Sequence, residues 1–344
     1  MMYPVRLSRR LGAPAAVLCA VLLALGCPAD SASPDSLFAR AGRAFDAGDV
    51  DGAEQLYRAM LEVDDDDHRA LNGIGLVGVA RGDHDLAIEY ARKAIRKDRK
   101  NSEYHMTLAL GYGVRLMQGG MSSMFYVGKF KKECETAIKL DPLNTDAHMA
   151  LLQYYAMAPG IMGGSMQKAI ETAETVAAID PFLGHIADAV LAEIGEDVPG
   201  AAVSYEAAAH VDTTSAEGWG ALGMFLMRTG QYEAAIPVGK RIARLAPEEP
   251  EAPYQIGKAY LMLGDDLDES ERWFRLAIDL MAAEQYPDET LHAGAHWRLG
   301  MIEERRGDLE AARAQWERAL EIDTDNEQVA AALDSLVSVL PDRQ

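Results

Sequence analysis

The chain has 344 residues, of which 49% are hydrophobic and 25% are charged, as is usual for a folded protein. Its 54 acidic residues outnumber its 33 basic ones, and the formal net charge is −21 at pH 7. A surface of this sign repels nucleic-acid backbones and anionic lipid headgroups, so we expect no nucleic-acid partner.

The first 26 residues have the pattern of an export signal. Arg6, Arg9 and Arg10 precede an apolar run over residues 13–26, which is too short for a lasting membrane span. The run ends in Leu-Ala-Leu-Gly-Cys at residues 23–27, which resembles the lipobox of bacterial lipoproteins. The resemblance implies cleavage before Cys27 and attachment of lipid to that cysteine. The alternative is a plain signal peptide cut nearby.

A lipid on Cys27 would be the chain's sole link to the membrane. The protein would then face the periplasm, on the outer membrane rather than the inner, with residues 27–32 as a short tether. Beyond the signal and the anchor, Cys134 is the one cysteine left, so no intramolecular disulfide is expected. Its place in a predicted second helix suggests inert packing.

From residue 33 the chain repeats with a period near 34 residues. The clearest unit has Trp219, Leu222 and Gly223 in a predicted first helix, then Ala235 in a second helix before Pro247. The small side chains at Gly223 and Ala235 allow the paired helices to approach each other closely. The unit resembles the consensus of the tetratricopeptide-repeat (TPR) family.

The same register predicts eight units along the chain. They begin near Ser33, Asp67, Asn101, Leu143, Phe182, Ser215, Pro250 and His292. The resemblance implies an all-α fold, a right-handed superhelix of helix-turn-helix repeats over residues 33–326, with a capping helix and tail at 327–344. No motif of a catalytic, phosphate-binding or metal site appears, so we predict neither an enzyme nor a cofactor or metal ion.

The third and fourth units are longer than the period, by about nine and about five residues. The excess falls at residues 116–126 and 158–165, which are rich in glycine and methionine. We place both insertions in turns between paired helices, where neighbouring turns lie side by side, so the two should touch. Two interpretations remain open: the methionines fill the longer turns, or they form an adaptable apolar surface for a ligand or a partner helix.

A basic island accompanies the insertions. Lys129, Lys131 and Lys132 belong either to a solvated helix face balanced by Glu133 and Glu135, or to a site that binds a ligand carboxylate. Residues 128–132 and 158–164 resemble a little-characterised bacterial TPR family, in which a GK-rich second helix is followed by an APG-x-x-GG turn. The resemblance implies that the two insertions form one feature, and it implies no activity.

First-helix side chains are predicted to line the concave groove of the superhelix. Leu76, Leu110, Gln153 and Met224 stand where a clamp for acidic peptide C-termini would need asparagine, so that clamp is absent. An apolar groove of this kind suits an amphipathic helix or a hydrophobic ligand, although part of the stripe could instead pack inside. The candidate binding residues of the groove and the insertions are Met106, Met117, Met121, Met124, Tyr126, Lys129, Lys131, Met149, Gln153, Met157 and Met162.

Two functional hypotheses follow. The first is a non-catalytic envelope lipoprotein that holds a protein partner in this Met-rich groove. The alternative is a carrier of a hydrophobic or amphipathic small molecule, since the lipobox and the repeats together resemble the TPR lipoproteins associated with TRAP transporters. A closed pocket at the third and fourth units would favour the carrier, and an open surface with exposed methionine and tyrosine would favour the partner.

Overall fold

The structure is a computed structural model that describes residues 34–120, 124–283 and 289–337. These residues form seventeen α-helices and no strand. In chain order the helices are α1 (Pro34–Asp46), α2 (Val50–Val63), α3 (His68–Ala80), α4 (His84–Lys97), α5 (Ser102–Met117), α6 (Met124–Leu140), α7 (Thr145–Met157), α8 (Met166–Ile179), α9 (Pro181–Ile194), α10 (Val198–Val211), α11 (Ala216–Arg228), α12 (Tyr232–Leu245), α13 (Glu251–Leu263), α14 (Leu267–Ala283), α15 (Glu289–Arg306), α16 (Leu309–Ile322) and α17 (Glu327–Val337).

The helices confirm the predicted repeat. They form eight antiparallel pairs of neighbours in sequence, α1 with α2 through α15 with α16, and each first helix begins within three residues of its predicted start. The helix α17 follows the last pair and packs on α16, as predicted for a capping helix. The rest of the predicted tail, residues 338–344, lies outside the described residues.

Helix starts are set by short polar side chains that recur with the repeat. The carboxylate of Asp83 accepts the main-chain N–H of Leu86 at 3.0 Å, and the amide oxygen of Asn144 accepts that of Ala147 at 2.9 Å. Each such cap satisfies a donor that has no partner inside its own helix. The repeat therefore encodes its own helix boundaries.

Small residues bring paired helices close together, as in the second pair. A Cβ atom on Gly78 of α3 would lie 2.5 Å from the main-chain nitrogen of Ala87 in α4, so the two backbones touch there. At Gly223 the nearest atom is the Cδ1 of Ile242, at 3.3 Å, which is the end of a flexible side chain. Gly223 thus faces its partner helix as predicted, in a looser contact than that of Gly78.

The described residues divide into two compact units, one that ends at Asp180 and one that begins at Pro181. The first contains α1–α8 and the second α9–α17. The third and fourth helix pairs of the first unit share one buried apolar cluster, which includes Tyr112, Phe130, Cys134 and Tyr154. Among the helices of the described ranges, none is long and apolar enough to cross a membrane.

Candidate functional site

Much of the extra length in the third pair is helical. Helix α5 has 16 residues and α6 has 17, against 13 and 14 in α3 and α4. Met117 is the last residue of α5, and Met124 is the first of α6. The prediction that residues 116–126 form a turn is therefore wrong at both of its ends. Leu116 and Tyr126 pack against the apolar cluster, and their burial favours longer helices.

The extra length in the fourth pair forms a tight turn built on two glycines. After Pro159, residues Gly160–Met162 make one turn of 3₁₀ helix. Gly163 then adopts φ +93°, which is the left-handed region that side chains other than hydrogen disfavour. A Cβ on Gly164 would lie 1.7 Å from the carbonyl oxygen of Ala158, so only glycine fits there. The Gly-Gly pair of the sequence is thus a steric requirement.

Hydrogen bonds fix this turn to the end of α7. The hydroxyl of Tyr154 donates to the carbonyl oxygen of Met162, and the main-chain N–H of Ser165 donates to the carbonyl oxygen of Tyr155 at 2.7 Å. The side-chain oxygen of Ser165 in turn accepts the N–H of Lys168 and so caps α8. Residues 158–165 are therefore a rigid connection.

Helix α6 reaches this turn through Lys131. A Cβ on Gly163 would lie 3.6 Å from the Nζ atom of Lys131. The same ammonium stands over the rings of Tyr154 and Tyr155, 5.8 and 5.6 Å from their centres. Lys168 of α8 also lies 5.6 Å from the centre of the Tyr155 ring. Side chains from α6, α7 and α8 thus meet at one pair of tyrosines.

A second group of cations and rings surrounds the start of α6. The ammonium of Lys129 lies 4.6 Å from the centre of the Tyr126 ring and 5.8 Å from that of Tyr112. The guanidinium of Arg115 stands 5.9 Å from the Tyr126 ring, and Arg92 donates a hydrogen bond to the hydroxyl of Tyr112 at 2.9 Å. Attraction between a cation and the face of a ring holds these charges in place.

Large apolar side chains close in sequence to both groups lie exposed. Ile161, at the tip of the rigid turn, is 97% exposed, and Phe125 in the first turn of α6 is 77% exposed. Met117, Met124 and Met157 are also exposed. We call these residues, together with the lysines beside them, the α5–α8 surface; its members are Met117, Met124, Phe125, Met157, Ile161, Lys129, Lys131 and Lys168.

The other predicted site residues lie elsewhere. The side chains of Met106, Met149 and Gln153 are buried, because neighbouring helices cover the first-helix positions at which they stand. Their predicted place on an open groove is therefore corrected to the interior. Met162 is half-buried and holds the turn through its carbonyl oxygen. Met121 and Cys27 lie outside the described residues.

Sequence reasoning did not select Phe125 and Ile161 as site residues. Both lie inside the predicted insertions. The one feature of the sequence that could have indicated their exposure is an apolar residue within a glycine-rich turn. Helical spacing alone does not separate a buried from an exposed apolar side chain when the path of the turn is unknown. The exposure of these two residues follows from the way the insertions fold.

A cavity lies in the first three helix pairs, away from the insertions. It has a volume of about 180 Å³ and is lined by residues that include Phe38, Tyr57, Asn72 and Tyr104. The amide oxygen of Asn72 is buried there without a hydrogen-bond partner among the described residues. The lining of this cavity is polar and aromatic, whereas the predicted groove is rich in methionine.

Reactive side chains are sparse in the parts of the chain that the structure describes. Within those parts, no group of three His, Cys, Asp or Glu side chains could hold a metal ion. Cys134 is fully buried, and this burial, together with the nearby carboxylates of Glu133 and Glu135, raises the pKa of its thiol well above the ordinary value. The thiol therefore stays protonated at neutral pH, and its predicted packing role is confirmed.

Comparisons with known proteins agree with the repeat. One tetratricopeptide-repeat model matches residues 38–102 and 195–250, and a second matches residues 293–326. Among solved structures, the chain is similar to TTC0263, a thermophilic TPR protein of Thermus thermophilus. That similarity has a TM-score of 0.50 at 16% identity, over 57% of this chain and 100% of the other. No curated protein matches the chain in sequence.

Another similar structure is the APC/C hetero-tetramer Cut9-Hcn1, with a TM-score of 0.46 at 12% identity. The match covers 88% of this chain and 55% of the other, so this chain corresponds to about half the length of that protein. The matched repeat models and the helix pairs support the TPR family, and the predicted all-α TPR fold is confirmed. At 16% identity the structural similarity supports the fold and gives no information about function.

Proposed function

We propose that this chain is a non-catalytic binding protein that holds a protein partner on its α5–α8 surface. The observation that carries the proposal is the exposure of Ile161 on the hydrogen-bonded turn and of Phe125 on helix α6. Exposed apolar side chains often mark a binding surface, and a backbone that is already ordered loses less conformational entropy on association. Helix-pair repeat proteins also commonly act through extended binding surfaces.

The open form of the surface favours a partner over a small-molecule ligand. A carrier needs an enclosed pocket that covers most of its ligand. Ile161 and Phe125 instead point to solvent, as do the methionines at the ends of α5 and α7. Met side chains suit such a role because they are flexible and polarisable, and they repack around the shape of a partner.

The cell envelope is the proposed site of action. The lipobox-like sequence that ends at Cys27 supports export and lipid attachment, with the repeats facing the periplasm. A lipid anchor would confine the protein to the membrane surface while leaving α1–α17 in water. The proposed role is that of a scaffold, anchored through one residue and binding through another region.

The proposal is tested by site-specific photo-crosslinking in cells that produce the full chain. A photoreactive amino acid replaces Phe125 or Ile161, and Val203 serves as the matched control because it is a similarly exposed apolar residue on α10. We expect the same cross-linked protein from both positions and none from Val203. Mass spectrometry of the adduct then distinguishes a protein from a small molecule.

Two results would overturn the proposal. Cross-linking from Phe125 and Ile161 that is no stronger than from Val203 would mean that the surface has no partner. A small-molecule adduct at both positions would favour the carrier. A Phe125→Ser/Ile161→Ser variant adds a second measurement, because it should abolish capture from a photoreactive residue at Met157 without changing helicity.

A further inference from the structure

Acidic residues are absent from the sequence around the α5–α8 surface. Residues 104–132 and 147–170 contain neither aspartate nor glutamate, in a chain that has 54 acidic residues. The same stretches contain Arg115, Lys129, Lys131, Lys132 and Lys168. The apolar side chains of the surface are thus bordered by positive charge, in contrast to the acidic remainder of the chain.

Some cations elsewhere in the described chain are neutralised by two or more carboxylates. Arg81 forms ion pairs with Asp51 and Glu54, and Arg306 does so with Glu271 at 2.6 Å and with Asp268. Those arginines lie on helices whose neighbours supply acids. Their charge is already matched within the protein, so they offer little to a partner.

The lysines of the surface are matched less fully than these arginines. Within the described residues, Lys129 and Lys168 form no ion pair, and Lys131 forms a single one, at 3.6 Å with the half-exposed carboxylate of Glu135. Glu133, the other acid expected to balance the lysines, instead pairs with His105 at 2.7 Å. The lysine-bearing face of α6, which Glu133 and Glu135 were predicted to neutralise, therefore carries a net positive charge.

Tyrosine rings hold these ammonium groups but leave their hydrogens available. Lys131 lies over Tyr154 and Tyr155, and Lys129 lies over Tyr126. A ring face attracts the charge, whereas an ammonium has three N–H donors that a carboxylate satisfies far better. The rings thus fix the lysines in position for an anionic group.

We propose that the partner presents a short segment in which carboxylates flank apolar side chains, and that Lys129 and Lys131 bind those carboxylates. This inference rests on the proposed function. Lys131 lies against Gly163, two residues from the exposed Ile161, so one short segment can place a carboxylate on the lysine and an apolar side chain on the isoleucine.

The net charge of the chain favours a short segment over a membrane. At physiological salt, charges more than about 8 Å apart are largely screened, so a small acidic segment responds to the local lysines. An anionic membrane is an extended surface that also faces the rest of the chain, and the chain as a whole has a net charge of −21. A short acidic segment is therefore attracted by the lysines, whereas an anionic membrane is repelled by most of the protein surface.

A model peptide tests the inference on the mature full chain. The probe is a fluorescent amphipathic helical peptide with leucine on one face and glutamate at its borders, compared with an analogue in which glutamine replaces each glutamate. Fluorescence anisotropy should show binding of the acidic peptide that is at least about tenfold tighter, as expected from loss of a charge-assisted hydrogen bond. The difference should shrink as salt is added.

Lysine variants assign the effect to particular residues. Lys131→Gln and Lys129→Gln should each weaken binding of the acidic peptide by about tenfold. Lys131→Arg keeps the charge and should retain most of the affinity. Lys132→Gln is the matched control, because Lys132 is exposed on the same helix and stands over no ring of the described residues, and it should change affinity little. Circular dichroism confirms that each variant folds.

Three results would overturn the inference. The first is equal binding of the acidic and neutral peptides. The second is an equal loss of affinity in the Lys132→Gln and Lys131→Gln variants. The third is a protein that binds no peptide but binds phosphatidylglycerol vesicles, with vesicle binding abolished by Lys131→Gln. A distinct result separates this inference from the proposed function. If Phe125 and Ile161 cross-link to a protein whose capture is unaffected by Lys131→Gln, the binding function stands and the acidic chemistry is wrong.

Discussion

The hydroxyl of Tyr154 donates a hydrogen bond to the carbonyl oxygen of Met162, while the ring that bears this hydroxyl lies beneath the ammonium of Lys131. One side chain thus joins the rigid turn of the fourth helix pair to the basic side chain of the third. The position of Ile161 relative to Lys131 depends on this tyrosine, and this dependence leads to the first prediction.

Tyr154→Phe should loosen residues 158–165 and leave the ring contacts intact. Loss of the hydrogen bond is expected to cost about 1 kcal/mol of unfolding free energy. Amide hydrogens of the turn should exchange faster, and binding at the α5–α8 surface should weaken. Tyr155→Phe is the control, since its hydroxyl forms no hydrogen bond within the described residues, although its ring also contacts Lys131. Equal exchange in both variants would mean that the hydroxyl of Tyr154 does not hold the turn.

Gly164→Ala should disrupt the same turn by steric overlap. The new Cβ would lie 1.7 Å from the carbonyl oxygen of Ala158, so the backbone must move, at a cost of about 1–3 kcal/mol. Gly160→Ala is the matched control, because a Cβ there meets no atom within 4 Å. Thermal unfolding followed by circular dichroism should separate the two variants. Equal melting temperatures would contradict the close approach of Gly164 to Ala158.

The pair formed by His105 and Glu133 should make stability depend on pH. The hydrogen bond to Glu133 raises the pKa of His105 above its ordinary value, against the opposing effect of burial. A raised folded-state pKa means that the pair stabilises the protein fully below the ordinary histidine value of about 6.5. This contribution is lost as the pH rises through the raised value.

Glu133→Gln should therefore lower the melting temperature more at about pH 5.5 than at about pH 9. The difference in unfolding free energy at the lower pH should be about 1.5 kcal/mol, the low end for a charge-assisted hydrogen bond. Glu135→Gln removes an exposed carboxylate from the same helix and should show little of this dependence. A loss that is the same at both pH values would exclude protonated His105 as the partner.

Cys27→Ala should release the protein from membranes. Two or three acyl chains anchor a protein firmly, because each buried CH₂ contributes about 0.8 kcal/mol. Fractionation should place the unaltered protein with membranes and the variant in the soluble fraction. Cys19→Ala, within the predicted signal, should leave the anchoring unchanged. Mass spectrometry that finds Cys27 without lipid in the unaltered protein would end the lipoprotein hypothesis.

The repeat was predictable because it depends on residues with a fixed spacing. Gly78 and Ala87 allow two helices to touch, and Asp83 begins the second of them. Each requirement is local to one unit and recurs in the next, so a single well-formed unit gives the register of the others. The starts of all first helices followed from this register to within three residues.

Exposure within the third and fourth units was not predictable in the same way. Met106 is buried and Met117 is exposed, although both lie on α5 and both belong to the same apolar pattern. A helical period places residues on a face without saying what covers that face. Whether a residue of α5 is buried depends on how far α5 and α6 extend. The lengths of these helices follow in turn from packing against Tyr112 and its neighbours.

The exposure of the surface methionines gives this protein a chemical vulnerability that its interior does not share. Met60, Met106 and Met281 are almost fully enclosed, whereas Met117, Met124, Met157 and Met166 lie open to solvent. An oxidant would convert the exposed thioethers to sulfoxides first, which turns an apolar contact face into a polar one. The helix pairs would remain folded, since their buried sulfur atoms are inaccessible. Mild oxidation would therefore impair the proposed binding at this surface before it damaged the fold, and an enzyme that reduces methionine sulfoxide would restore the apolar face.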